Sequence, residues 1–288
     1  MDWSLAVSVY KDEAVLNSTL LRSPALQRAK QVLCQRDYPT VAAAYNAALR
    51  ECAADVLVFA HPDVFLPEAW GDSLDRSLAW LNERDPQWGV AGVYGVCRDG
   101  STRGFAYSTG LSRFLGAPFA EPSEIRTLDE FVFAVRRESG LEFDEKLPGA
   151  QSQLCTTDLC MQAEQRGLHS YVLPCFVVHN SNTWTHLPLS FWKLYLYMRK
   201  KWRHVLPVTA PYSKLTVACL PMVANTVRGF IQGRGGVFRV TTRVPDPAAL
   251  YERLRRDVIS AFGAPVAPCR DESVAEAQSA LASGTSRG

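Results

Sequence analysis

The chain has 288 residues, 47% of them apolar, and its 31 Lys and Arg against 29 Asp and Glu leave a net charge of +2. So apolar a composition excludes a disordered chain, and so small a charge argues against nucleic acid or an anionic membrane as the main partner. No window of about twenty apolar residues occurs, and MDWSLAVSVYKDE lacks a basic n-region, so neither a transmembrane span nor a signal peptide is expected.

Taken in chain order, Leu5–Tyr10 is a short apolar run that reads as a first strand. Val15, Leu16, Thr19 and Leu20 follow at near-helical spacing. Gln31–Cys34 is a second strand, and Thr40 is placed to cap a helix whose stripe is Val41, Ala44, Ala48, Leu49 and Cys52. The run DVLVFAHPDVFLP is a core strand, Val56–Ala60, that stops at His61-Pro62-Asp63. An amphipathic helix then carries Trp70, Leu74, Leu78 and Leu81, before the apolar run Gly89–Val96. This strand-helix alternation predicts an α/β fold with a mostly parallel central sheet flanked by helices. Such sheets bind ligands at the carboxyl ends of their strands, where His61 and Asp63 fall.

Residues 98–127 are polar and rich in Gly and Pro, as loops or a hairpin would be. Phe131–Val135 reads as a strand, a helix starts near Thr157-Asp158 and ends at Gly167, and Tyr171–Leu173 and Phe176–Val178 are strands, the second ending at His179. Phe191, Leu194, Met198 and Trp202 share one face of a helix, and 247–262 form a last amphipathic helix. The tail from about 268 has the composition of a disordered segment. The eight cysteines are scattered with no CxxC pair, which argues against zinc knuckles and for buried free thiols in a reducing cytoplasm.

Several common chemistries are not advertised. No GxGxxG follows the first strand, and neither GxxxxGK[ST] nor GxSxG occurs. What remains is Asp63 ending a core strand, Asp158 opening a helix, His179 ending a strand, and the basic cluster Arg199, Lys200, Lys201 and Arg203 around Trp202. Singly, each has an ordinary structural explanation, as a turn, a helix cap, a polar strand end or a solvated face.

In their order, the segments AYNAALRECAADVLVFAHPDV, LDEFVFAVRRESGLEFDE, TTDLCMQAEQRG, VVHNS and the KKW of the long helix resemble the family-2-like glycosyltransferases of GT-A fold. The likeness lies near the branch found in aminoglycoside-antibiotic biosynthesis clusters. It covers about residues 5 to 202 and implies a glycosyltransferase domain over 1–205, with a nucleotide-binding half (1–97) and an acceptor half (98–185). A helical extension at 206–267 and the tail 268–288 would follow. The implied reaction moves a sugar from a nucleotide-diphosphate donor to an acceptor hydroxyl, inverting and metal-assisted. The acceptor would be a glycan, a lipid-linked group or a small molecule.

The family's Asp-x-Asp, which binds a divalent cation across the donor's diphosphate, matches His61-Pro62-Asp63 here, so Asp63 and His61 are the implied ligands of Mn²⁺ or Mg²⁺, with His179 a further one. The resemblance assigns Asp158 as the catalytic base. It puts Tyr10, Asp12, Gln35, Asn46, Asp129, Lys200 and Lys201 at the donor. The rival expectation, given His61 in place of an acid, is an inactive relative that binds a sugar nucleotide or glycan without turnover. A peripheral membrane contact through Leu215–Ile231 is the remaining alternative, against which Pro221 interrupts the run.

Overall fold

The computed structural model describes residues 1–148, 153–184, 191–233 and 239–262. The first half contains β1 (Trp3–Val9), α1 (Glu13–Ser18), β2 (Val32–Arg36), α2 (Val41–Glu51), β3 (Val56–Ala60), β4 (Val64–Phe65), α3 (Glu68–Arg84), β5 (Trp88–Gly92) and β6 (Tyr94–Val96). Then come β7 (Thr102–Ser108), β8 (Arg113–Gly116), β9 (Ser123–Ile125), β10 (Thr127–Leu128), β11 (Val132–Arg136), α4 (Cys155–Gln165), β12 (His169–Val172) and β13 (Val177–His179). The remainder is β14 (Thr183–Trp184), α5 (Phe191–Lys201), β15 (Val208–Thr209), β16 (Lys214–Leu215), α6 (Leu220–Gly233), β17 (Arg239–Val240) and α7 (Pro247–Phe262).

The central sheet has seven strands in the order β2-β1-β3-β11-β5-β12-β9. β1, β2, β3, β5 and β12 run one way; β11, inserted between β3 and β5, and the edge strand β9 run against them. The sheet is therefore mixed, and it is parallel in direction over most of its strands. Strand periodicity explains why it is covered on both faces. Val56, Val58 and Ala60 of β3 face a core with Trp70, Leu74 and Leu78 of α3. Leu57 and Phe59 face the opposite core with Tyr45 of α2, Leu159 of α4 and Met198 of α5. Thr40 caps α2, its hydroxyl accepting from the Ala43 amide at 3.1 Å.

The abrupt end of β3 is a change of sheet. His61 N donates to the Phe131 carbonyl at 2.9 Å, the last tie to β11. Pro62 has no amide to extend the ladder, and two residues later β4 pairs antiparallel with β13, placing Val64 opposite His179. The second sheet has the order β10-β6-β7-β13-β4, with β8 pairing β7 as a hairpin in the stretch expected to hold one. The apolar run Gly89–Val96 divides at Val93 into β5 and β6, one strand in each sheet.

The C-terminal extension packs onto what precedes it. Val208, Ala210, Leu215 and Met222 join the core beside Trp202, while Leu250 and Val258 of α7 pack with Phe65, Phe105 and Phe176. Cys34, Cys52, Cys97, Cys155, Cys160, Cys175 and Cys219 are free thiols, most of them buried. Among the described residues no helix is long and apolar enough to cross a membrane. α6 covers part of the Leu215–Ile231 stretch and leaves Leu220, Val223 and Val227 exposed. The tail expected to be disordered, with Cys269, lies outside the described residues.

Candidate active site

The crossing from β3 to β4 and the end of β13 bring His61, Asp63 and His179 together. Each offers one ligand atom, and these atoms lie within 4.8 Å of one another. Asp63 is only 8% exposed. Its Oδ1 stands 3.4 Å from His179 Nε2 without hydrogen-bond geometry, and its Oδ2 accepts from Arg243 at 2.7 Å. Burial alone would raise the Asp63 carboxyl, but His179, His61 and Arg243 outweigh it and hold the group well below the usual carboxylate range. His61 is shifted down to about 4, first by desolvation and then by His179 and Arg243, with Asp63 opposing, so its imidazole is neutral at pH 7. The ring of Phe131 stacks on His179 with centroids 4.8 Å apart and fixes its plane.

Two imidazoles and a buried carboxylate oxygen that lacks a donor are a ligand set that suits Mn²⁺ better than Mg²⁺, which prefers oxygen alone. The residues present thus fit a divalent cation, with the guanidinium of Arg243 holding the other carboxylate oxygen.

Next to this cluster lie Asp129 and Glu130, in the turn between β10 and β11. Asp129 accepts from Tyr212 Oη at 3.0 Å and from the Phe131 amide at 3.2 Å, and burial raises its carboxyl in spite of them and of His179. Glu130 is 2% exposed, and its Oε2 has no hydrogen-bond partner. Burial, with the charge of Asp129 added, pushes its carboxyl well above the usual range. The fold thus holds a proton that the unfolded chain releases once the pH passes 4.5, so stability falls as pH rises above that value. Glu130→Gln is expected to melt higher than wild type at pH 8 and nearly with it at pH 5. A variant that loses ground to wild type as the pH rises would show Glu130 to be ionised in the fold.

Asp158 lies in the first turn of α4, as expected, and is 1% exposed. Its Oδ1 accepts from Trp202 Nε1 at 2.8 Å, its Oδ2 accepts from Gln162 Nε2 at 2.8 Å, and Lys201 Nζ reaches Oδ2 at 2.9 Å and Oδ1 at 2.8 Å. Lys201 also donates to Asp144 Oδ2 at 2.7 Å, which accepts from Tyr197 at 2.8 Å. Lys201 and these neighbours hold Asp144 below the carboxylate range against the opposing effect of burial. Lys201, expected at the donor, is thus the central cation of a network joining α4, α5 and the loop at 144. Arg199 is tied to the carbonyls of Thr216 and Val217, and Lys200 is exposed. Trp202 is a core residue at 1% exposure.

Asp63 and Asp158 do not touch. Among the other expected donor contacts, Tyr10 is 61% exposed at the end of β1, and Asp12 precedes α1 without a side-chain capping bond. Gln35 is buried and donates to Glu51 at 2.9 Å. Asn46 donates to the Phe143 carbonyl and to Glu145 Oε1, both at 2.9 Å, and accepts from the Phe143 amide at 2.8 Å. Its amide is therefore committed to pinning 143–145 against α2. Asn46→Ala is expected to cost about 2 kcal/mol in denaturant unfolding while leaving diphosphate affinity at its wild-type value; weakened binding in a fully folded variant would return Asn46 to the donor.

Sequence reasoning missed Arg243, Glu130, Asp144 and Gln162. Asp144 carried a signal, since it stands in the quoted GLEFDE, whereas Arg243 lies beyond the span of the resemblance.

No protein-family model matches the chain. A curated relative, "ATP synthase subunits region ORF 6" of Fuscovulum blasticum, is 28% identical over 139 residues, a match spanning 47% of this chain and 55% of the relative. Among solved structures, GalNAc-T7 with UDP, GalNAc and Mn²⁺ is similar with a TM-score of 0.45 and 13% identity, over 62% of this chain and 44% of that one. Residues 1–349 of S. aureus TarS give 0.44 and 15%, over 70% and 65%. The mannosyltransferase PcManGT of Pyrobaculum calidifontis, with GDP-Man and Mn²⁺, gives 0.39 and 12%, over 98% and 81%.

Proposed function

We propose that the protein is a glycosyltransferase that moves a sugar from a nucleotide-diphosphate donor to an acceptor hydroxyl, with inversion at the anomeric carbon. The observation that carries this reading is the convergence of His61, Asp63 and His179 where β3 ends and the chain leaves the central sheet, with the buried Asp63 Oδ1 facing His179 Nε2 at 3.4 Å. A divalent cation held by these three residues would neutralise charge on the leaving diphosphate. In the reaction the acceptor oxygen forms its bond to the anomeric carbon as the bond to the diphosphate breaks. The nucleoside diphosphate leaves with the electron pair, and the hydroxyl proton passes to a carboxylate.

Asp158 is the carboxylate assigned to that role. It must release one of its present donors to accept the proton, and Lys201 has Asp144 as a second anion to hold when it does. The same closure of Asp158 favours the rival reading, a protein that binds the donor and does not turn it over. Thermal-shift screening of nucleotide sugars with and without Mn²⁺, followed by transfer and donor-hydrolysis assays on those that bind, separates the two. Stabilisation with turnover supports transfer, stabilisation without any turnover supports the rival, and no stabilisation by any donor sinks both.

A further inference from the structure

The C-terminal extension enters the site through one short segment. β17 pairs antiparallel with β14, placing Val240 opposite Thr183. Beyond it, Thr242 Oγ1 donates to the Ser181 carbonyl at 2.9 Å, and Asn180 binds Val244 from both ends of its amide, accepting from the Val244 amide at 2.8 Å and donating to its carbonyl at 2.9 Å. The segment is thereby laid along the residues that directly follow His179. Between these ties Arg243 turns inward. Its Nε donates to the Asn180 carbonyl at 3.1 Å and its Nη2 to Asp63 Oδ2 at 2.7 Å.

This is a built position. The guanidinium is planar and always charged, and it is held at two of its nitrogens by groups that are themselves fixed. Its side chain is 19% exposed and that of Asp63 11%. Among the described residues nothing else accepts from it, so donors of its fork remain for oxygens of a ligand. The charge count points the same way. The single charge of Asp63 is already matched by that of Arg243, so a divalent cation gains less from this carboxylate than from an unpaired one, whereas the oxygens of a diphosphate can share the guanidinium.

We propose that Arg243 is a resident cation of the donor site, binding the diphosphate directly and opposing the divalent ion for which Asp63 is also a ligand. The inference rests on the nucleotide-sugar reading and extends it: residues 239–244 belong to the donor site, and diphosphate binding has a component that needs no metal. Leaving-group charge is then met by a side chain positioned before the donor arrives, at no cost in reorganisation.

The test uses the full chain and the variants Arg243→Gln and Arg243→Lys. Inorganic pyrophosphate, UDP and GDP are titrated calorimetrically in EDTA and again in Mn²⁺, and Mn²⁺ binding without nucleotide is followed by electron paramagnetic resonance. The expected result is wild-type binding of diphosphate in EDTA, weakened at least about tenfold by Arg243→Gln, together with tighter Mn²⁺ binding in that variant. Arg243→Lys keeps the charge and loses the fork, and is expected to weaken diphosphate about threefold or more; it carries the test where the glutamine variant does not fold. Diphosphate affinity unchanged by both variants, with Mn²⁺ binding weakened, would reduce Arg243 to a prop for the Asp63 carboxylate and overturn the inference alone. Wild-type protein that binds no diphosphate with or without Mn²⁺ would remove the nucleotide-sugar reading, and this inference with it.

Discussion

Asp63→Ala is expected to abolish Mn²⁺ binding, with a loss of about 100-fold or more, beyond what removal of an outer-shell partner costs. The same change strips Arg243 of its anion. A guanidinium left with the Asn180 carbonyl and no anion destabilises the fold, by about 3 kcal/mol for a buried pair broken on one side. Asp63→Asn separates the two effects. The amide oxygen still accepts from Arg243, so stability is largely retained, while the charge that a cation needs is gone. Electron paramagnetic resonance of free Mn²⁺ and chemical denaturation are the measurements. Metal affinity unchanged in Asp63→Asn would remove Asp63 from the ligand set, whatever happens to stability.

Asp158→Asn is expected to lower transfer by about 100-fold or more and stability by about 2 kcal/mol. The stability loss follows from its contacts. In either orientation the new amide nitrogen would face the Lys201 ammonium together with Gln162 Nε2 or Trp202 Nε1, donors against a donor, and Asp144 would be the one anion still bound to Lys201 among the described residues. The cost stays below that of a wholly unpaired ammonium because Asp144 is still there. The double variant Asp158→Asn/Lys201→Gln decides what the activity loss means. Removing both charges takes the ammonium away from the amide, while Asp144 keeps Tyr197, and is expected to restore part of the stability. A base cannot be restored that way, so transfer stays low if Asp158 accepts the proton. Recovery of transfer along with stability would make Asp158 a strut between α4 and α5.

These two acids show how far the sequence reaches. That Asp63 ends a core strand and Asp158 opens a helix was legible, because strand burial and helix starts leave local marks: the apolar run Val56–Ala60, and the polar Thr157-Asp158 before an apolar stripe. The Thr40 cap and the helix over 247–262 were legible for the same reason. The partners of the acids were not. Lys201 sits in a run of basic residues in which Arg199, Lys200 and Lys201 look alike, and only the phase of α5 against α4 turns Lys201 to Asp158 and leaves Lys200 exposed. Asn46 reads as a polar residue on a helix face until the loop at 143–145 closes on it from 97 residues away. The division of Gly89–Val96 between two sheets is equally invisible, since an unbroken apolar run carries no mark of which neighbour each half will pair with.

The amino-acid order by itself determined the α/β alternation, the buried faces of the helices and the position of His61, Asp63 and His179 at strand ends, since periodicity and hydrogen-bonding capacity act over a few residues. Only the tertiary structure decided that β11 runs against its neighbours, that the extension folds back, and that the cation facing Asp63 comes from 180 residues further along the chain. A charged side chain is satisfied by any opposite charge of the right geometry, and the sequence records the charge without the geometry. That choice is made by the packing of the two sheets and the segment laid along residues 180–184.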